Sequence, residues 1–191
     1  MCVEGPTFFM SNHRGPLGMW PRLIEFDRKY PETTFICNAS FSFFLNIFGI
    51  STVGIDTQRY LSKLNNPSAS IKSVLITTLG LITTRNIKIF EGEDVVDEAV
   101  KILANGKNVF IFPETVTNNN KGWRSGVGRV CKKVDVNTVH AGFVFIPKPI
   151  YEHTKVVLKP VLGSLISNLN MEPLEISHEL QRQHELQFGL N

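Results

Sequence analysis

Residues 93–114 read EDVVDEAVKILANGKNVFIFPE, and the fold class turns on them. The first part carries a helical period: Val95, Val96, Ala99, Val100 and Leu103 fall on one face, while Asp94, Asp97, Glu98 and Lys101 point away. Acidic residues at its start suit the positive end of the helix dipole. Asn105-Gly106 supplies a stop, because glycine accepts the left-handed conformation that ends a helix. Residues 108–112 then form a short apolar run that breaks at Pro113-Glu114. Such a run without polar alternation reads as a strand buried on both faces. A helix feeding such a strand predicts an α/β protein: a mostly parallel central sheet flanked by helices.

The same alternation extends outward. Residues 7–10 (TFFM) predict a strand that ends at Ser11-Asn12-His13, with Arg14-Gly15-Pro16 breaking it. Trp20, Leu23, Ile24 and Tyr30 predict an amphipathic helix, with Pro21 near its first turn and Pro31 closing it. Residues 33–37 predict a second strand, and residues 41–48 a helix closed by Gly49. Residues 51–78 are the least readable. Asn65-Asn66-Pro67-Ser68 marks a loop, and residues 74–76 or 79–82 can form a strand. Residues 118–122 are a loop, residues 143–147 and 156–158 two more strands, and a polar amphipathic helix runs from Pro173 to about Gln187. There is no internal repeat or low-complexity tract.

A chain of 191 residues predicts a single domain over residues 1–191. A chain of that size buries roughly 70% of its unfolded surface. With 42% hydrophobic and 19% charged residues, a disordered tail is excluded. Lys plus Arg is 20 against 17 Asp plus Glu, a net charge of +3 without a basic stripe, so nucleic acid is not an expected partner. A charge-poor, weakly basic surface suits an anionic small substrate or an anionic membrane surface. Cys2, Cys37 and Cys131 are scattered and odd in number, with no zinc-ligand spacing. Reduced thiols, a reducing compartment and no metal are expected. Residues 1–10 carry Glu4 and no long apolar run, so no secretory leader is expected. Residues 35–55 hold 21 residues without a charge, but Asn38, Ser40, Ser42, Asn46, Ser51 and Thr52 dilute the phenylalanines. They are too polar to span a bilayer and read as a buried helix or one lying in a membrane interface.

Two strands stop at polar residues, one at His13 and one at Glu114. Parallel pairing places both at the carboxyl edge of the sheet, where α/β proteins hold ligands. A histidine there can act as general base near neutral pH, or it can be a turn residue. A carboxylate beside it can orient it, bind a substrate hydroxyl, or face water. Arg85 follows Gly80-Leu-Ile-Thr-Thr, and Arg124 and Arg129 flank Gly126 and Gly128. Guanidinium groups near strand ends suit a phosphate; solvated surface arginines are the alternative. Residues 123–129 (WRSGVGR) contain GxG without the full dinucleotide fingerprint, and lack the lysine and hydroxyl of a P-loop. His140, His153, His178 and His184 have no metal-ligand spacing and read as structural or exposed.

Together these segments resemble the lysophospholipid and glycerolphosphate acyltransferase family, of the 1-acylglycerol-3-phosphate acyltransferase type. Residues 5–13 (GPTFFMSNH) resemble its first block, a strand leading into Asn-His. Residues 79–85 (LGLITTR) look like the second, residues 109–114 (VFIFPE) are similar to the Phe-Pro-Glu core of the third, and residues 142–147 (GFVFIP) look like the fourth. The helix and Asn-Gly turn before residue 108 also match the family's order, as do Lys159-Pro160 and a final helix. The resemblance implies transfer of a fatty acyl group from acyl-CoA or acyl carrier protein to a (lyso)glycerophosphate hydroxyl, with no cofactor beyond that co-substrate. By resemblance, His13 is the general base and Glu114 helps bind the acceptor at the catalytic site. Asn12, Arg85, Pro113, Thr115 and Arg124 belong to substrate binding, with Arg85 on the acceptor's phosphate. A lipid acceptor implies a peripheral membrane or cytoplasmic location.

The chain departs from the family pattern at three places. Gly18 stands five residues after His13, where the family has Asp. Thr115, Val116 and Thr117 follow Glu114 in place of Gly, Thr and Arg, so a second phosphate-binding arginine is missing; Arg124 or Lys121 can substitute from the next loop. An extra stretch within about residues 50–78 separates the first two blocks. These departures keep a second reading open: a catalytically inactive protein of the same fold that binds lipid or a protein partner. An unrelated soluble α/β enzyme is a third.

Overall fold

The computed structural model describes residues 5–12, 16–55, 88–90, 92–114, 122–147, 152–166 and 170–190. They form β1 (Thr7–Ser11), α1 (Pro16–Lys29), β2 (Thr33–Asn38), α2 (Ala39–Ile47), β3 (Thr52–Ile55), β4 (Lys88–Phe90), α3 (Glu93–Ala104), β5 (Asn108–Ile111), α4 (Gly126–Lys133), β6 (His140–Phe145), β7 (Lys155–Val161) and α5 (Pro173–Phe188). All seven strands join one sheet in the order β4-β3-β2-β5-β1-β6-β7. The first six are mutually parallel; β7 runs antiparallel beside β6. The expected α/β architecture with a mostly parallel sheet is therefore present. The two candidate strands at residues 74–76 and 79–82 lie outside the described residues, as does the expected insertion beyond Ile55. β3 occupies the start of that expected span and pairs with β2 as an integral strand.

Strand alternation divides the core into two layers. Phe8 and Met10 of β1 face α3, α4 and α5, where Val96, Ala99, Val130, Ile176 and Leu180 complete the layer. Phe9, between them, faces α1 and α2 with Phe35, Phe110, Leu23, Phe26 and Leu45. This second layer is aromatic: the Phe26 ring meets Phe9 and Phe110 edge-on, each at 4.9 Å between centroids. Such contacts add to what ring burial alone contributes. Gly142 makes room for it, since a Cβ there would stand 2.2 Å from the Phe9 ring.

Local chemistry accounts for most element ends. Gly49 and Gly106 take φ of 76° at the turns that close α2 and α3. Pro16 opens α1, and Pro21 lies inside that helix rather than near its start. Residues 35–55 are β2, α2 and β3, not one long helix. Phe41, Leu45 and Ile50 are buried, while Ile47 and Phe48 are exposed at the end of α2. Among the described residues no helix is long and apolar enough to cross a membrane.

β3, β4 and α4 were not legible in the sequence. β3 and β4 have four and three residues, too few to show a period. α4 reads GVGRVCKK, and its two glycines disfavour a helix. Contact with α5 explains one of them. A Cβ on Gly128 would stand 1.8 Å from the Pro173 carbonyl oxygen. The Gly128 N–H donates to Ser177 Oγ at 2.9 Å, and that hydroxyl donates onward to the Pro173 carbonyl at 3.0 Å.

Gly128→Ala therefore forces α4 and α5 apart. It is expected to cost about 3 kcal/mol in denaturant unfolding, at the top of the usual range for overpacking. Gly126→Ala in the same helix has nothing within 4 Å of its new Cβ. It is expected to be neutral or stabilising.

Candidate functional site

Four of the candidate residues, Asn12, Pro113, Glu114 and Arg124, gather where β1, β5 and β6 end. β1 pairs with β5 as far as Met10 with Ile111. Asn12 and Pro113 each stand two residues beyond that pair on adjacent chain segments, and both are buried. The connections leaving β1 and β5 pack on opposite faces of the sheet, α1 on one and α4 on the other. Divergence of that kind opens a crevice at the carboxyl edge of an α/β sheet.

Asn12 continues the ladder after the main chain has left it. Its side-chain Nδ2–H donates to the Ile146 carbonyl at 3.0 Å, and its Oδ1 accepts from the Ile146 N–H at 2.8 Å. The amide thus presents a donor and an acceptor to one residue, as a neighbouring peptide group would. The carbonyl of Asn12 also accepts from Ser11 Oγ at 3.2 Å. Two of the four hydrogen-bonding positions of the Asn12 amide are committed to β6, which makes positioning of the chain a role visible in the geometry.

Pro113 and Glu114 are held by the segment that returns from the next loop. The Arg124 N–H donates to the Pro113 carbonyl at 3.2 Å, and Glu114 and Trp123 form an isolated antiparallel bridge. Glu114 is half-buried and Arg124 exposed. Asn12, Pro113, Glu114 and Arg124 therefore come together at one edge. His13, Arg85 and Thr115 lie outside the described residues. Glu25 and Asp27 both sit on α1, where Glu25 pairs with Arg22 at 3.3 Å and burial raises the Asp27 carboxyl.

Among the described residues the remaining reactive side chains do not suggest other chemistry. Cys37 and Cys131 are free and buried, and burial pushes both thiols up to about 12, too high for a thiolate nucleophile at neutral pH. His153 and His178 are exposed and His140 half-buried. Among the described residues no three His, Cys, Asp or Glu side chains are grouped to hold a metal ion.

Two residues near this edge carried no sequence signal. Thr154 precedes β7, and continuing the Phe145–Lys155 register sets it across from Ile146. Its Oγ1 is buried and has no hydrogen-bond partner among the described residues. His184 on α5 is 2% exposed. Its Nε2 lies 2.9 Å from the Val144 carbonyl, so that nitrogen carries the proton and donates it. The ring packs against Trp123 at 5.4 Å and Phe188 at 4.9 Å. Burial lowers its pKa, so the imidazole is neutral at physiological pH.

No family model matches the chain, and neither a curated protein nor a solved structure does.

Asn12→Ala removes both bonds to Ile146. It is expected to cost about 2–6 kcal/mol, since each of the two buried Ile146 groups left without a partner costs about 1–3. Equilibrium unfolding in urea measures it. His184 sets a pH dependence. Its folded pKa lies below the unfolded value of about 6.5, so protonation favours the unfolded chain. The stability this histidine contributes is present above about pH 6.5 and is lost as pH falls below that value toward the folded pKa. The thermal midpoint should drop between pH 7.5 and 5.5, and His184→Gln should flatten that slope.

Proposed function

We propose that the chain transfers a fatty acyl group from acyl-CoA or acyl carrier protein to the hydroxyl of a glycerophosphate acceptor, with His13 as general base. One observation carries the reading: the carboxyl ends of parallel β1 and β5 lie side by side, one leading into Asn12 and the other into Pro113-Glu114. His13 follows Asn12 directly in sequence, and Asn12 is tied at both ends of its amide to Ile146. The chain therefore leaves β1 toward His13 from a fixed point beside β5.

In this mechanism the His13 imidazole takes the proton of the acceptor hydroxyl. The oxygen attacks the thioester carbonyl carbon, a C–O bond forms and the C–S bond breaks. The imidazolium gives its proton to the departing thiolate, which leaves as the thiol, so atoms and charge balance. Glu114 binds the acceptor, with Asn12, Pro113 and Thr115 shaping its surroundings. Arg85 and Arg124 hold its phosphate, a task for which the guanidinium fork suits. The acceptor is lipid-like, so the protein works at a membrane surface; exposed Ile47 and Phe48 fit that setting.

Gly18, at the position where the resembling family has Asp, lies in α1 and carries no side chain to orient a base. It favours a second reading, an inactive protein of this fold that binds lipid or a partner.

Acyl transfer by the purified protein tests the first reading, with acyl-CoA offered against lysophosphatidate or glycerol 3-phosphate. Turnover is expected, and His13→Ala should lower it about 100-fold or more, the contribution usual for a general base. Gly18→Asp should raise it. A folded protein that binds lipid vesicles but turns over no donor belongs to the second reading.

A further inference from the structure

We infer that Gln181 on α5 is a positioning residue for the acceptor-binding edge, acting through Trp123 on Glu114. The inference rests on the acyl-transfer reading for its consequence and on hydrogen bonds alone for its geometry. Gln181 Oε1 accepts from the Trp123 N–H at 2.8 Å. Gln181 Nε2 donates to Glu185 Oε1 at 2.7 Å. A backbone N–H only donates and a carboxylate only accepts, so the two partners fix which way the amide faces.

Trp123 is the residue bridged to Glu114, and the next N–H in the chain, that of Arg124, is bonded to Pro113. A chain of direct contacts thus runs from α5 to Pro113 and Glu114, beyond the end of β5. Ser177, Gln181 and His184 are spaced four and three apart, so they share one face of α5. Ser177 holds the Gly128 N–H, Gln181 the Trp123 N–H, and His184 the Val144 carbonyl. One helix face therefore holds α4 at one point, the return segment at a second, and anchors itself to β6 at a third. Gln181 is the member of this set bonded to the residue that touches Glu114. It is only half-buried and stands outside the apolar core that Ile176 and Leu180 fill. A substitution there should leave the fold intact.

The test compares Gln181→Met, which keeps the length and removes both bonds, with Gln181→Glu combined with Glu185→Gln. The double exchange keeps an oxygen for the Trp123 N–H and a donor–acceptor pair between the two side chains. In Gln181→Met, hydrogen exchange at the Trp123 and Arg124 amides should rise about tenfold, the factor one net hydrogen bond is worth, with β1 and β6 amides unchanged. The KM for lysophosphatidate should rise about tenfold by the same factor while kcat stays within about twofold, because acceptor binding rather than the base is disturbed. The double exchange should restore both. Unchanged exchange at Trp123 overturns the inference, as does a rise spread evenly through the sheet or a fall in kcat at constant KM. If the wild-type protein has no turnover, the acyl-transfer reading fails; exchange at Trp123 and Arg124 then decides the coupling from α5 by itself.

Discussion

The carboxyl edge of this sheet depends on the reciprocal pair of hydrogen bonds between the Asn12 side chain and the Ile146 backbone. Main-chain pairing of β1 with β6 ends at Ser11 with Val144. Asn12, the next residue, is still buried, and a buried backbone group without a partner is costly. The Asn12 amide supplies the next donor and acceptor. β6 is thereby held for two further residues, and β1 is free to depart. An aspartate has no donor for the Ile146 carbonyl, and a serine is too short to offer both groups.

Behind that edge, the two layers of the core are set by where side chains are absent. Gly142 lets the Phe9 ring lie over β6, and Gly128 lets α4 meet the first turn of α5. The second contact has a consequence for the candidate site: with α5 seated, Ser177, Gln181 and His184 reach α4, the return segment and β6. Packing at one end of a helix and hydrogen bonding along it are the same arrangement. The surface ties between α3 and α4 are of lesser weight. Glu93 bonds Arg129 and Lys133, and Lys133 also reaches Asp97, at 2.6 to 2.7 Å. These groups are exposed, and exposed ion pairs contribute little beyond orientation.

The sequence by itself determined the class of fold and the strand ends beyond which three of the candidate residues stand. Residues 93–114 specify a helix, a stop and a buried strand through local properties: period, charge at the helix start, and a glycine that accepts positive φ. The same local chemistry placed β1, β2, α2 and α5 close to their observed bounds, and it put Asn12, Pro113 and Glu114 just past strand ends. Strand order, the antiparallel sense of β7 and the existence of β3, β4 and α4 came only with the tertiary structure. Three or four residues carry no period, and in the helix written GVGRVCKK the use of Gly128 shows only where α5 approaches. The partners of Asn12 and Trp123 were likewise invisible, since they lie 134 and 58 positions away along the chain. Propensity and spacing act over a few residues; hydrogen bonds that close a site act across the fold.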